Sequence, residues 1–74
     1  MSERGTVKWF DERRGYGFIG REGAVDVFVH ASAVEADRPL RPGDLVEFVV
    51  EEGRRGLQAR GVRLAATGPP PPSG

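Results

Sequence analysis

The chain has no cysteine in its 74 residues, and it has one histidine. Without cysteine there is no disulfide, no thiolate metal site and no thiol nucleophile, and the lone His30 cannot build a histidine metal cluster. Long apolar runs are missing too. Nothing approaches the roughly 20 residues of a membrane-spanning helix, and the N-terminus lacks a signal peptide's apolar stretch. The expectation is a cytoplasmic protein with no cofactor and no metal. An evident carboxylate pair is also lacking, which leaves no obvious catalytic site. Net charge is absent as well, since 11 basic residues balance 11 acidic ones. The whole chain therefore exerts no strong long-range pull on a polyanion, and what matters is where the charges lie. Lysine is scarce: all basic residues except Lys8 are arginine, whose planar fork grips phosphate and stacks on bases.

What remains is enough for one small domain. At this size folding removes only roughly 60% of the unfolded chain's surface from water. The punctuation is that of short strands. Gly5 to Asp11 reads as the first, and Glu12-Arg13-Arg14-Gly15 turns the chain into Tyr16 to Arg21. Glu22-Gly23-Ala24 turns it again into Val25 to His30. Leu45 to Glu51 is a fourth strand, with Val46, Phe48 and Val50 inward. Gly53-Arg54-Arg55-Gly56 leads into a fifth, Leu57 to Leu64. Five short antiparallel strands with little room for a long helix favour an all-β barrel. Between strands three and four, Ser32-Ala33-Val34-Glu35 fits a capping box, with Ser32 as N-cap. Pro39 and Pro42 then limit any helix to a turn or two. The domain spans residues 1–66; residues 67–74, with Pro69 to Pro72, read as an extended, mobile tail.

The alternation within strands two and three is the most informative signal. Val25, Val27 and Val29 share the face expected to enter the core, which leaves Asp26, Phe28 and His30 together on the other. In the preceding strand Tyr16 and Phe18 lie opposite Ile19, next to Arg14. Aromatic residues aligned on a polar strand face and flanked by arginine suit stacking on unpaired bases. His30 suits stacking better than general-base work, because Asp26 in the same strand lies on the order of 13 Å away. Trp9 has the parity of Val7, so a regular first strand would bury both. Exposing Trp9 requires a bulge or strong coil in that strand. A second parity conflict lies between Ala59 and Val62, both apolar, and a bulge at Gly61 would resolve it with Arg60 and Arg63 outside.

Gly15-x-Gly17-x-x-Gly20 matches the dinucleotide-binding fingerprint, but that motif needs a helix after its glycines. Here the glycines lie inside an alternating strand, so the match is accidental. Arg14 to Ile19 instead opens like a ribonucleoprotein motif until Arg21 takes its last aromatic position. The RNA-recognition motif has its partner segment earlier and two helices behind the sheet; Val27-Phe28-Val29-His30 comes later and the chain lacks room for those helices.

Gly5-Thr6-Val7-Lys8-Trp9-Phe10, Gly15-Tyr16-Gly17-Phe18-Ile19, Asp26-Val27-Phe28-Val29-His30 and Gly53-Arg54-Arg55-Gly56-Leu57-Gln58-Ala59 together resemble the bacterial cold-shock protein signature, from Gly5 to Val62. The resemblance implies a five-stranded OB-type barrel, acting as a monomer that binds single-stranded RNA and DNA as a nucleic-acid chaperone or antiterminator. It places Lys8, Trp9, Arg14, Tyr16, Phe18, Asp26, Phe28, His30 and Arg55 at the family's binding positions. In that scheme the aromatic side chains and His30 stack bases, Lys8, Arg14 and Arg55 neutralise phosphate, and Asp26 accepts a hydrogen bond from a base edge. Four positions depart from the family. Ala31 stands where an aromatic is common, and the loop from Glu35 to Arg41 is short and lacks another. Asp11 replaces the usual Asn near the expected phosphate path, and Leu57 replaces a common Pro. The competing reading is a small-barrel protein-interaction module using the same aromatic face as its hot spot.

Overall fold

The strands in chain order are β1 (Glu3–Asp11), β2 (Tyr16–Arg21), β3 (Ala24–His30), β4 (Leu45–Gly53) and β5 (Gly56–Leu64). In the computed structural model, which describes residues 2–54 and 56–65, they close into a barrel in the order β1-β2-β3-β5-β4. A ring with an odd number of strands cannot alternate direction all the way round. One seam must be parallel, and it is β3–β5, paired at Phe28 and Gln58 and continued by a parallel bridge from Val34 to Val62. The other neighbours are antiparallel, as the alternation implies.

Inward residues from every strand meet in one core. Val7, Ile19, Val27, Val29, Val46, Phe48 and Val62 are essentially inaccessible. Each is β-branched or aromatic, the side-chain types that pack well on a pleated surface. Both expected irregularities are present. In the β1–β2 ladder Val7 faces Ile19 while Trp9 faces Phe18, so Lys8 is the extra residue of a bulge. The bulge turns Trp9 outward while Val7 stays buried. In the β4–β5 ladder the register shifts between Glu47 and Val49, and Gly61 adopts φ 58° opposite that shift. Ala59 and Val62 are consequently both buried, and Arg60 and Arg63 are both exposed. Gly17 serves a different need. A Cβ there would collide with the Trp9 carbonyl oxygen and lie 2.7 Å from the Phe10 Cα, so glycine permits the close approach of β2 to β1.

Three expectations need correction. Val25 shares parity with Val27 and Val29 but is 67% exposed. The β2–β3 register shifts after Ile19, so that Arg21 faces Ala24 and the hairpin end runs beyond the core. Ser32 is not an N-cap. The only helical turn among the described residues is a 3-10 segment, Ala31–Ala33, capped by His30, whose ring accepts the Ser32 N–H. Glu35 does not close a capping box either, because its own N–H donates to the Val62 carbonyl at 2.7 Å. The short loop is not wholly irregular: Leu40 enters the core at 3% exposure. The tail at residues 67–74 and Arg55 lie outside the described residues.

That loop is braced by one bidentate ion pair. Arg38 donates through Nη1 and Nη2 to the two carboxylate oxygens of Asp44 at 2.9 and 3.0 Å. Asp44 also accepts the Arg41 N–H at 2.8 Å. Gly43 and Asp44 in turn exchange backbone hydrogen bonds with Val7. The Arg38 hydrogen bonds, joined by that of Arg41 and outweighing partial desolvation, hold the Asp44 carboxyl below the usual range.

Candidate nucleic-acid interface

The β1 bulge and the alternation of β2 and β3 bring four rings together on the outside of the barrel. Cross-strand pairing sets Phe18 against Phe28 and Tyr16 against His30, and it sets Trp9 against Phe18. The Trp9 ring centroid lies 5.6 Å from that of Tyr16 and 5.5 Å from that of Phe18. Phe28 closes the quadrilateral, 5.8 Å from both Tyr16 and Phe18. Tyr16 and Phe28 are near-parallel at 26°, while Trp9 and Tyr16 meet edge to face at 72°. Such geometries favour the rings mutually. Trp9 is nevertheless 41% exposed, so the group presents open π-faces to solvent.

His30 extends this surface. Its Nδ1 accepts the Ser32 N–H at 3.1 Å and lies 2.9 Å from the Ser32 Oγ. Accepting that backbone proton through Nδ1 fixes the ring orientation and assigns the neutral ring's proton to Nε2. The imidazole face is thus presented with its rotation held.

Charged groups are arranged around the rings, and two of the cations already pair, Lys8 with Asp26 and, at 3.8 Å, Arg14 with Asp11. Lys8 Nζ lies 3.0 Å from Asp26 Oδ2, a contact that strand parity alone does not disclose because the bulge places Lys8. Lys8 is thus already partly neutralised by Asp26. Arg14 stands at the other end, its pKa raised chiefly by the neighbouring Tyr16 hydroxyl and less by the Asp11 carboxylate. Asp11 itself is a turn-former. Its Oδ1 accepts the N–H groups of Arg13 and Arg14 at 3.0 and 3.1 Å, and its carbonyl accepts that of Gly15 at 2.7 Å. Oδ1 is thus engaged by the turn, while Oδ2 lies 3.8 Å from Arg14 Nε.

An open groove of about 700 Å³ runs between Arg14 and Arg54, lined by Tyr16, Phe28, His30, Ser32, Gly53 and Gln58. On the other side of Phe28 a depression of about 330 Å³ is lined by Tyr16, Phe18, Val25, Asp26 and Leu57. Arg54 and Gln58 are thus further residues of this surface. Both belong to the Gly53–Ala59 segment, but only the fold shows that they face the rings. Eight of the nine expected site residues occupy this one side of the barrel, and Arg55 lies outside the described residues. No group of three or more potential metal ligands converges among the described residues. No helix among them is long and apolar enough to cross a membrane.

Residues 3–65 match the family model described as the 'Cold-shock' DNA-binding domain. The chain belongs to the cold-shock domain family. It is 52% identical over 65 residues to the cold shock protein CspC of Bacillus subtilis, covering 85% of this chain and 98% of that one. It is 49% identical over 63 residues to a cold shock-like protein of Thermotoga maritima, covering 82% and 96% respectively. With the Staphylococcus aureus cold shock protein CspA the identity is 53% over 62 residues, covering 81% and 94%. Among solved structures, drosophila Unr CSD456 superposes with a TM-score of 0.73 at 29% identity, over all of this chain and 29% of that one. The closed five-strand barrel is accordingly the OB-like cold-shock fold, and nucleic-acid binding is the property of its family.

Proposed function

We propose that this cold-shock domain binds single-stranded RNA and DNA as a monomer, without catalysis, and acts as an RNA chaperone or transcription antiterminator. The observation that carries the reading is the outward quadrilateral of Trp9, Tyr16, Phe18 and Phe28, continued by His30. A duplex hides its base faces, whereas an unpaired strand can lay successive bases on such rings at about 1–3 kcal/mol each. Lys8, Arg14, Arg54 and Arg55 supply phosphate contacts, and Asp26 supplies an acceptor for a base edge once Lys8 turns to phosphate. Because stacking tolerates any base, binding spreads along a transcript and opposes hairpin formation.

Ala31 and the short Arg38-braced loop provide no further ring. Two missing platforms lower affinity by a few kcal/mol at the same rate per base, or shorten the site. This domain is a weaker binder than relatives that retain both aromatics. Equal affinity for heptathymidine would contradict that.

The chaperone role is tested with an RNA hairpin carrying a fluorophore and a quencher at its ends. Added protein should raise the fluorescence and lower the hairpin's melting temperature. An unchanged melting temperature at saturating protein would contradict the role and favour a protein-interaction surface on the same rings.

A further inference from the structure

The parallel seam required by five strands leaves a cleft of about 330 Å³ between β3 and β5. That volume lies at the lower end of small-ligand sites, roughly 300–1,000 Å³, and suits one base. Phe28 and His30 line both this cleft and the groove over the rings, so the two are continuous. Ser32 and Gln58 also line both, and the far side carries Glu35, Arg60 and Gly61.

Two opposite charges line this cleft without meeting. Arg60 Nη1 turns to Glu51 Oε1 at 3.2 Å. Glu35 has no ion pair among the described residues. Its backbone is anchored to β5 through the Val62 carbonyl. Its Oε2 sits over the bulge, 3.7 Å from where a Cβ on Gly61 would be. A carboxylate without an ion pair at the mouth of a cleft next to the rings disfavours an incoming polyanion unless it receives hydrogen-bond donors from a base.

We propose that this cleft is a guanine-reading subsite, with Glu35 and Arg60 as its readers. The proposal rests on the single-strand reading above. Guanine presents N1–H and the 2-amino group side by side, so a carboxylate accepts both at once. Uracil and thymine present one donor between two acceptors. Adenine and cytosine place an acceptor beside their amino group. Arginine meets the guanine O6 and N7 acceptors, and its five N–H donors leave capacity beyond the bond to Glu51. Phe28 and His30 supply the stacking wall.

The test uses the intact chain and heptathymidine in which one guanine is moved through each position in turn, read by Trp9 emission. At one position guanine should bind at least about fivefold tighter than thymine. Hypoxanthine there, lacking the 2-amino group, should lose most of that gain; Glu35→Ala should lose it likewise, and only Glu35→Ala combined with Arg60→Ala should bring the guanine-to-thymine ratio to about one. Glu35 is exposed, so its truncation leaves the core intact. Guanine no tighter than thymine at every position would overturn the proposal, as would a guanine preference undiminished in Glu35→Ala. If all-thymine heptamer itself leaves Trp9 unchanged, the single-strand reading falls and the subsite with it.

Discussion

Phe18 and Phe48 show how position decides what one residue type does. Phe48 is buried among the inward valines, and Phe18 lies on the outer ring cluster. Truncating Phe48 to alanine should cost about 3–5 kcal/mol of folding stability, measured by urea unfolding. Truncating Phe18 should lower affinity for oligothymidine by about 1–3 kcal/mol while shifting the unfolding midpoint far less. If Phe18→Ala unfolded as readily as Phe48→Ala, the assignment of the faces would be wrong. Parity revealed Tyr16, Phe18, Phe28 and His30 directly, because a period of two separates the faces of a strand cleanly. It could not reveal the Lys8–Asp26 pair, which depends on a bulge that shifts Lys8 and Trp9 relative to β2. Nor could it reveal Arg54 and Gln58, whose approach to the rings is set by closure of β5 against β3. Val25 misled for a related reason, since alternation says which face a residue takes but not where the core ends.

At the scale of elements, irregularities do much of the positioning. Gly61 holds β5 in register through a left-handed backbone, a conformation costing other residues roughly 1–2 kcal/mol. Gly61→Val should destabilise the barrel by about that amount, and Gly61→Asn by less, since Asn tolerates this region. Equal thermal unfolding of the two variants would contradict a bulge of this kind. The bulge was legible because Ala59 and Val62 conflict in parity with a glycine between them. The fate of Ser32 was not, since the seam with β5 takes the Val34–Glu35 backbone that a helix would need. The loop from Glu35 to Arg41 depends on a different device. Asp44 has its pKa lowered chiefly by the hydrogen bonds from Arg38. Its contribution is therefore fully present above the unfolded carboxylate value of about 3.9 and is lost as the pH falls through the lower folded value. Arg38→Ala should unfold at lower temperature than the parent at neutral pH. The gap should narrow as melts are repeated below about pH 4. A gap that stays constant to pH 2 would contradict the pairing.

For the whole molecule, the zero net charge and the few cations around the rings lead the proposed reading to expect stacking as the main source of affinity. Log affinity for single strands falls by about 0.7 per phosphate neutralised for each log unit of salt. With Lys8, Arg14, Arg54 and Arg55 all engaged, the slope should be no steeper than about −3, and Lys8 begins paired with Asp26. A much steeper dependence would mean that charge, not the rings, holds the strand. The central claim is that the outward rings receive unpaired bases, and Trp9, the only tryptophan, reports it from within the site. Titrating heptathymidine into the intact chain should quench Trp9 emission saturably, and a blunt DNA duplex at the same nucleotide concentration should do so far less. A flat heptathymidine titration, or equal quenching by the duplex, would contradict the account.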